Sequence, residues 1–231
     1  MNEFNSLGEA WLFGLQSVMK NGDIVIDENV RQRDISLSND RLELDKYKTD
    51  DSHFSLKLKE IRGYNIRILN ISEDDAIIKK YGNKERIEYT IKRYGSQCGE
   101  NGYGKFLRGD NNEIVLSIID KLSRNNDSKS AVIISPNEWG GNFGKSPCLT
   151  MVDFLIRNNE LLMYVVYRSQ NIYTKHVGNL IALNQLHEEV AKALGVSKGF
   201  LELYVCSAHI YECDFQNVMD ILKNERMIYN E

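Results

Sequence analysis

Between Ser146 and Asp214 the chain carries a thiol, a guanidinium, an amide, an imidazole and a phenol in quick succession. Cys148 follows Pro147 and opens an apolar run. A cysteine at a strand start can face a cleft on a rigid backbone, and a cation beside it would favour the thiolate, the nucleophilic form. A lone cysteine is more often an apolar filler, so its company decides the reading. Arg168-Ser169 can hold a phosphate or carboxylate by charge-assisted hydrogen bonds, although a surface arginine at a strand end looks the same in sequence. Asn179 offers one acceptor and two donors, enough to pair with the O4 and N3–H edge of a uracil ring; an N-cap is the plainer role. His209 and Tyr211 share one face of a strand and suit a sugar hydroxyl, or form an ordinary half-buried aromatic pair. Together the set suits a pocket that attacks and holds a polar, anionic heterocycle.

The elements that position these groups are legible from periodicity. Met151–Ile156 and Leu161–Tyr167 read as strands joined by a turn at Asn158-Asn159. Asn179–Leu194 reads as an amphipathic helix opened at Gly178-Asn179 and ended by Gly195. Gly199–His209 reads as a further strand and Phe215–Lys223 as a last helix. Upstream, Glu9–Met19, Glu73–Lys80, Lys84–Arg93 and Glu113–Arg124 read as helices, and Ala131–Ser135 as a buried strand. Asp23–Lys48 is polar and turn-rich, with short strands at Asp23–Ile26, Arg33–Leu37 and Arg41–Leu44. Leu56–Asn70 alternates weakly. Gln97–Asp110 and Asn137–Lys145 are glycine-rich loops. The pattern is α+β, a mostly meandering sheet with long helices on one face.

The chain has 231 residues, 42% hydrophobic and 27% charged, with a net charge of −4. These values fit a single globular domain over 1–231 and give no general basic footprint for DNA. The polar N-terminus does not read as a secretory leader, and no apolar run nears the roughly 20 residues of a membrane helix. Cys98, Cys148, Cys206 and Cys213 form no CxxC pair and no zinc spacing, which points to free thiols, no metal and a reducing cytoplasm.

The order and spacing of Pro147-Cys148, Arg168-Ser169-Gln170-Asn171, Asn179 and His209-Ile210-Tyr211 resemble thymidylate synthases, especially the short archaeal-type members. The helix Glu113–Arg124 followed by Asp127-Ser128-Lys129-Ser130 looks like the family segment that leads to two phosphate-binding arginines. The resemblance covers roughly residues 103–223 and is weak over 1–100. It implies a thymidylate synthase-like, mostly antiparallel sheet and a homodimer packed through that sheet. It also implies a mechanism. Cys148 adds to C6 of a pyrimidine nucleotide such as dUMP, and C5 then attacks the methylene carbon of 5,10-methylenetetrahydrofolate. Hydride from the folate gives a methyl group; water gives a hydroxymethyl group. Arg168 and Ser169 would bind the phosphate with Lys129 of the partner subunit and Arg31 or Arg33, Asn179 the base, His209 and Tyr211 the sugar, and Asn171 the folate.

The departures point to a specialised relative. One of the paired phosphate arginines is Lys129 and the other is Ser130. The folate-contacting aspartate is Asn171, and the residue after the cysteine is Leu149. Nothing in Leu56–Arg93 matches the family's catalytic glutamate motif, and Glu88 is a guess by position alone. Trp139 lies near Cys148 but at no obvious family position. Hydroxymethylation of CMP, dCMP or UMP is therefore the alternative enzyme reading, and a non-catalytic nucleotide- or RNA-binding relative the second alternative. Retention of the nucleophile argues against the latter.

Overall fold

The computed structural model describes residues 1–31, 53–95, 102–135 and 147–227, the side chains of Asn29, Arg31 and His53 excepted. Strand β1 (Asn2–Ser6) leads into helix α1 (Leu7–Asn21) and strands β2 (Asp23–Arg31) and β3 (His53–Asn70). Helices α2 (Ala76–Tyr81), α3 (Lys84–Lys92), α4 (Gly104–Arg108) and α5 (Glu113–Arg124) follow, then β4 (Val132–Ile134), β5 (Leu149–Arg157) and β6 (Glu160–Asn171). Helix α6 (His176–Leu194) crosses to β7 (Ser197–Tyr211), and a 3-10 turn at Glu212–Asp214 leads into α7 (Phe215–Asn224). This is the expected α+β architecture.

The strands form one seven-stranded sheet in the order β1-β3-β7-β6-β5-β4, with β2 also paired to β3. Pairing is mostly antiparallel; β1–β3 and β6–β7 are parallel. The β5–β6 hairpin turns at Asn158 and Asn159, both at positive φ, 52° and 63°. Asparagine tolerates that region, and two such residues match the right-handed twist of the flanking strands.

Register explains the two faces. Ile66, Leu203, Val165, Val152 and Ile133 lie side by side across five strands, and all are buried. One residue along, Asn65, Tyr204, Val166, Met151 and Ile134 form the adjacent row on the opposite face. There Tyr204 and Ile134 are exposed. The inner face packs against α1, α6, α5 and α7 through Leu15, Leu180, Leu183, Val115 and Leu222.

Three corrections to the sequence reading bear on function. Helix α6 begins at His176, not at Asn179, because Asn171 Oδ1 accepts the backbone N–H groups of Tyr173 and Thr174, both at 3.0 Å, and turns the chain early. Strand β2 runs on to Arg31 across an irregularity between Asp27 and Val30. The expected loop over Gln97–Asp110 contains a short helix, α4, whose first N–H (Gly104) donates to Arg93 O at 2.9 Å. The expected strands Arg33–Leu37 and Arg41–Leu44, the loop Asn137–Lys145, Arg33 and Trp139 lie outside the described residues. Among the described residues no helix is long and apolar enough to cross a membrane.

Candidate functional site

Cys148 is half-buried just ahead of β5. Its carbonyl accepts the Arg168 backbone N–H at 2.9 Å, and Arg168 Nε donates to the Pro147 carbonyl at 3.1 Å. The hairpin therefore brings Arg168, twenty residues downstream, beside the nucleophile candidate. The Tyr103 phenol is close enough to the Cys148 thiol for the two to affect each other electrostatically. Burial, then Cys148, pushes the Tyr103 pKa up, and the guanidiniums of Arg93 and Arg168 partly offset this.

Tyr103 is held by its neighbours. Its ring meets Tyr94 edge-on, with centroids 4.9 Å apart. The Tyr94 carbonyl accepts from Arg108 Nε at 3.2 Å, and the Arg108 guanidinium pairs with Glu189 of α6 at 2.7 Å. Helices α3, α4 and α6 are thereby locked around the thiol. The Tyr94 hydroxyl lies 2.5 Å from the Tyr167 hydroxyl and donates to Asn179 Oδ1 at 3.0 Å. Asn179 is buried one turn inside α6, so it does not cap the helix; Lys175 occupies the cap position. Gly178 precedes it because the Thr90 Cβ stands 2.8 Å from where a Cβ on residue 178 would be.

A second group lines a cavity of about 420 Å³ formed by β2, β3, β6 and β7, with Asp27, Glu60, Ser169, Ser207, His209 and Tyr211 in its wall. Parallel pairing of β6 with β7 sets Ser169 opposite Ser207 and Asn171 opposite His209. Ser169 Oγ is 3.5 Å from His209 Nδ1, and the His209 and Tyr211 rings meet at 5.1 Å. The Ser207 hydroxyl donates to Glu60 Oε1 at 2.5 Å. This wall is rich in hydroxyls and carboxylates, which suits sugar hydroxyls better than a phosphate.

Arg168 and Ser169, adjacent in β6, join the two groups. Of the remaining candidates, Asn171 is buried, and its Oδ1 is already used to hold the turn before α6, while its Nδ2 has no partner among the described residues. Arg31 closes β2 opposite His53. Lys129 is exposed on the turn between α5 and β4, outside both groups within one chain. Glu88 points outward from α3 toward Lys84, with its side chain 55% exposed; the buried face of that helix carries Arg86 and Thr90 instead.

The sequence reading missed Tyr94, Tyr103, Tyr167 and Glu60. One signal was available. Leu56, Leu58, Tyr64, Ile66 and Ile68 alternate along β3, and Glu60 and Arg62 interrupt that apolar row, Glu60 where the strand reaches the cavity.

A family model described as thymidylate synthase matches residues 57–229. A protein of Methanosarcina mazei carrying the description "Putative thymidylate synthase" is 27% identical over 227 residues, covering 94% of this chain and 92% of that protein. A protein of Methanocaldococcus jannaschii with the same description is 32% identical over 179 residues, covering 70% of this chain and 79% of its own length. The match takes in the strand pair that carries Cys148 and Arg168, the helix that carries Asn179 and the strand that carries His209 and Tyr211, and on that ground the chain belongs to the thymidylate synthase family.

Proposed function

We propose that this protein transfers a one-carbon unit from 5,10-methylenetetrahydrofolate to C5 of a pyrimidine nucleotide, with methylation of a uracil nucleotide such as dUMP as the leading reading. The observation that carries it is the surroundings of Cys148: a half-buried thiol that interacts with the Tyr103 phenol, with Arg168 against the preceding carbonyl. Sγ adds to C6 of the ring, which places electron density on C5 and O4. The Asn179 amide stabilises that charge as a fixed dipole in a buried site. Arg168 binds the nucleotide phosphate and keeps a positive charge near the thiolate. His209, Tyr211 and Ser169 bind the sugar.

The folate supplies the one-carbon unit when bound. Asn171 stands where the family pattern has an anionic acceptor for the pterin; its buried Nδ2, without a partner among the described residues, would offer a donor there instead. A homodimer through the outer sheet face completes the phosphate site with Lys129 of the partner subunit. That face carries exposed Tyr204 and Ile134, and the buried oxygens Asn65 Oδ1 and Asp153 Oδ1 lack partners among the described residues.

Tritium release from C5-labelled dUMP, UMP, dCMP and CMP tests the reading, with methylenetetrahydrofolate present and Cys148→Ala as control. Release that depends on Cys148 supports it, and the product mass separates methyl from hydroxymethyl transfer. No release from any of the four, with binding intact, overturns it in favour of a binding protein.

A further inference from the structure

The cavity beside β7 presents hydrogen-bond acceptors to whatever enters it. Antiparallel pairing sets Glu60 of β3 opposite His209 of β7. Ser207, two residues before His209, lies on the same face of its strand. The Ser207 hydroxyl donates to Glu60 Oε1 at 2.5 Å. That bond uses the one proton Ser207 has, so its Oγ has only lone pairs left for a ligand. Glu60 Oε2 takes no other hydrogen bond among the described residues, and no cation pairs with that carboxylate there. The Tyr211 hydroxyl likewise donates to Asp27 Oδ2, at 3.5 Å. Asp27, Glu28 and Glu60 line the cavity, and among the described residues no lysine or arginine joins them. Glu60 is half-buried and follows the buried Leu56 and Leu58 along its face of β3. A carboxylate placed there costs stability unless another group uses it.

We propose that Glu60, oriented by Ser207, is a specificity-determining residue that accepts the 2′-hydroxyl of a ribose, so that the site prefers a pyrimidine ribonucleotide to its deoxy form. The proposal rests on the reading above that His209 and Tyr211 meet the sugar, and it narrows that reading to the ribose form of the nucleotide. The 3′-hydroxyl goes to His209 and Tyr211. The 2′-hydroxyl is carried on the next carbon, on the same side of the ring, and so reaches the groups beside His209: Glu60 across the strand pair and Ser207 on the same strand. Glu60 Oε2 supplies a charged acceptor for its proton. Acidic side chains read the same hydroxyl in dinucleotide sites. Deoxyribose sets a methylene there, and the carboxylate loses water without gaining a donor. A charged hydrogen bond made to one sugar and not the other corresponds to discrimination of about 10- to 100-fold.

The test is equilibrium binding of UMP, dUMP, CMP, dCMP and the arabinose analogue of UMP to the intact protein and to Glu60→Ala, each checked by thermal melting. The wild type is expected to bind each ribonucleotide about 10- to 100-fold more tightly than its deoxy form. The arabinose analogue, whose 2′-hydroxyl projects from the other side of the ring, should bind no better than dUMP. Glu60→Ala should bring the sugar ratio to within about threefold of parity by weakening the ribonucleotides alone. A wild-type ratio at parity or in favour of deoxyribose, an arabinose analogue bound as tightly as UMP, or a ratio unchanged in Glu60→Ala overturns the proposal. So does an equal loss of both sugars in that variant, which is what a merely structural role would give. If Glu60→Ala does not fold, Glu60→Gln takes its place. A neutral acceptor makes a bond about half as strong, so a ratio reduced to about 3- to 10-fold supports the proposal and an unchanged ratio overturns it. Absence of nucleotide binding by the wild type overturns the functional reading and the proposal with it, whereas binding without a Glu60-dependent sugar ratio overturns the proposal alone.

Discussion

Arg168 Nε and the Pro147 carbonyl meet at 3.1 Å across the first residues of the β5–β6 pair. The guanidinium thus holds the backbone that enters Cys148. A planar fork can hold that carbonyl and bind an anion at once; a compact ammonium cannot. Arg168→Lys is therefore expected to keep some nucleotide affinity through charge but to lose about 10- to 100-fold in kcat/KM. Arg168→Ala should lose affinity as well, by about 1–3 kcal/mol. Steady-state kinetics with nucleotide titration separates the two. A lysine variant as active as the wild type would show that the clamp on Pro147 is irrelevant.

Cys148→Ser changes one atom in a half-buried position and should leave the melting temperature within a few degrees of the wild type. Turnover should fall to background, since a serine hydroxyl with no paired base is a poor nucleophile. Nucleotide binding should persist. Turnover within tenfold of the wild type would remove the thiol from the reaction.

Long periodic elements were legible because one physical signal dominates each. Helix α5 was read with its observed limits, since its apolar residues fall on one side. The β5–β6 turn was legible because two adjacent asparagines between apolar runs have few other uses. The cluster around Cys148 was legible only in part. Cys148, Arg168 and Asn179 have distinctive chemistry and spacing, whereas Tyr94, Tyr103 and Tyr167 read as ordinary core aromatics until tertiary packing turns their hydroxyls toward the thiol and the amide. The start of α6 was misplaced because Gly178 looks like a helix boundary. In the fold that glycine lets α3 approach, and the boundary is set by the side chain of Asn171.

Two buried histidines predict how stability depends on pH. Burial pushes His176 down to about 3 and His187 down to about 4. His176 Nδ1 is bonded to Gln170 Oε1 at 2.8 Å, and His187 Nε2 to the Leu161 carbonyl at 2.8 Å, so each neutral ring has a fixed role in the fold. In the unfolded chain both titrate near pH 6.5. Below that pH the unfolded state binds protons that the native state refuses. Stability is therefore full above about pH 6.5 and is lost as pH falls, by about 1.4 kcal/mol per pH unit for each histidine until its folded pKa is reached. Urea unfolding at pH 7.5, 6.0 and 5.0 should show this decline, and His187→Gln should shrink the slope by about half. An unchanged slope in that variant would assign the acid sensitivity to other groups.

Gly178 lies at a close approach between α3 and α6, and it sits beside Asn179. An added Cβ would stand 2.8 Å from Thr90 Cβ and 3.1 Å from both Thr90 Cγ2 and Thr90 Oγ1. None of these is the far end of a flexible chain, because the Thr90 hydroxyl is bonded to the Arg86 carbonyl at 2.8 Å. Gly178→Ala is expected to destabilise by about 1–3 kcal/mol, despite the better helix propensity of alanine, because the helices must separate. The same displacement moves Asn179 away from Tyr94, so nucleotide affinity should fall along with stability. Adding Thr90→Ala removes Cγ2 and Oγ1 but keeps the Cβ that stands nearest, and the double variant should recover only part of the loss. Chemical unfolding of the two single variants and the double variant measures this coupling. Full recovery would mean that the threonine branch, not the helix separation, sets the requirement for glycine.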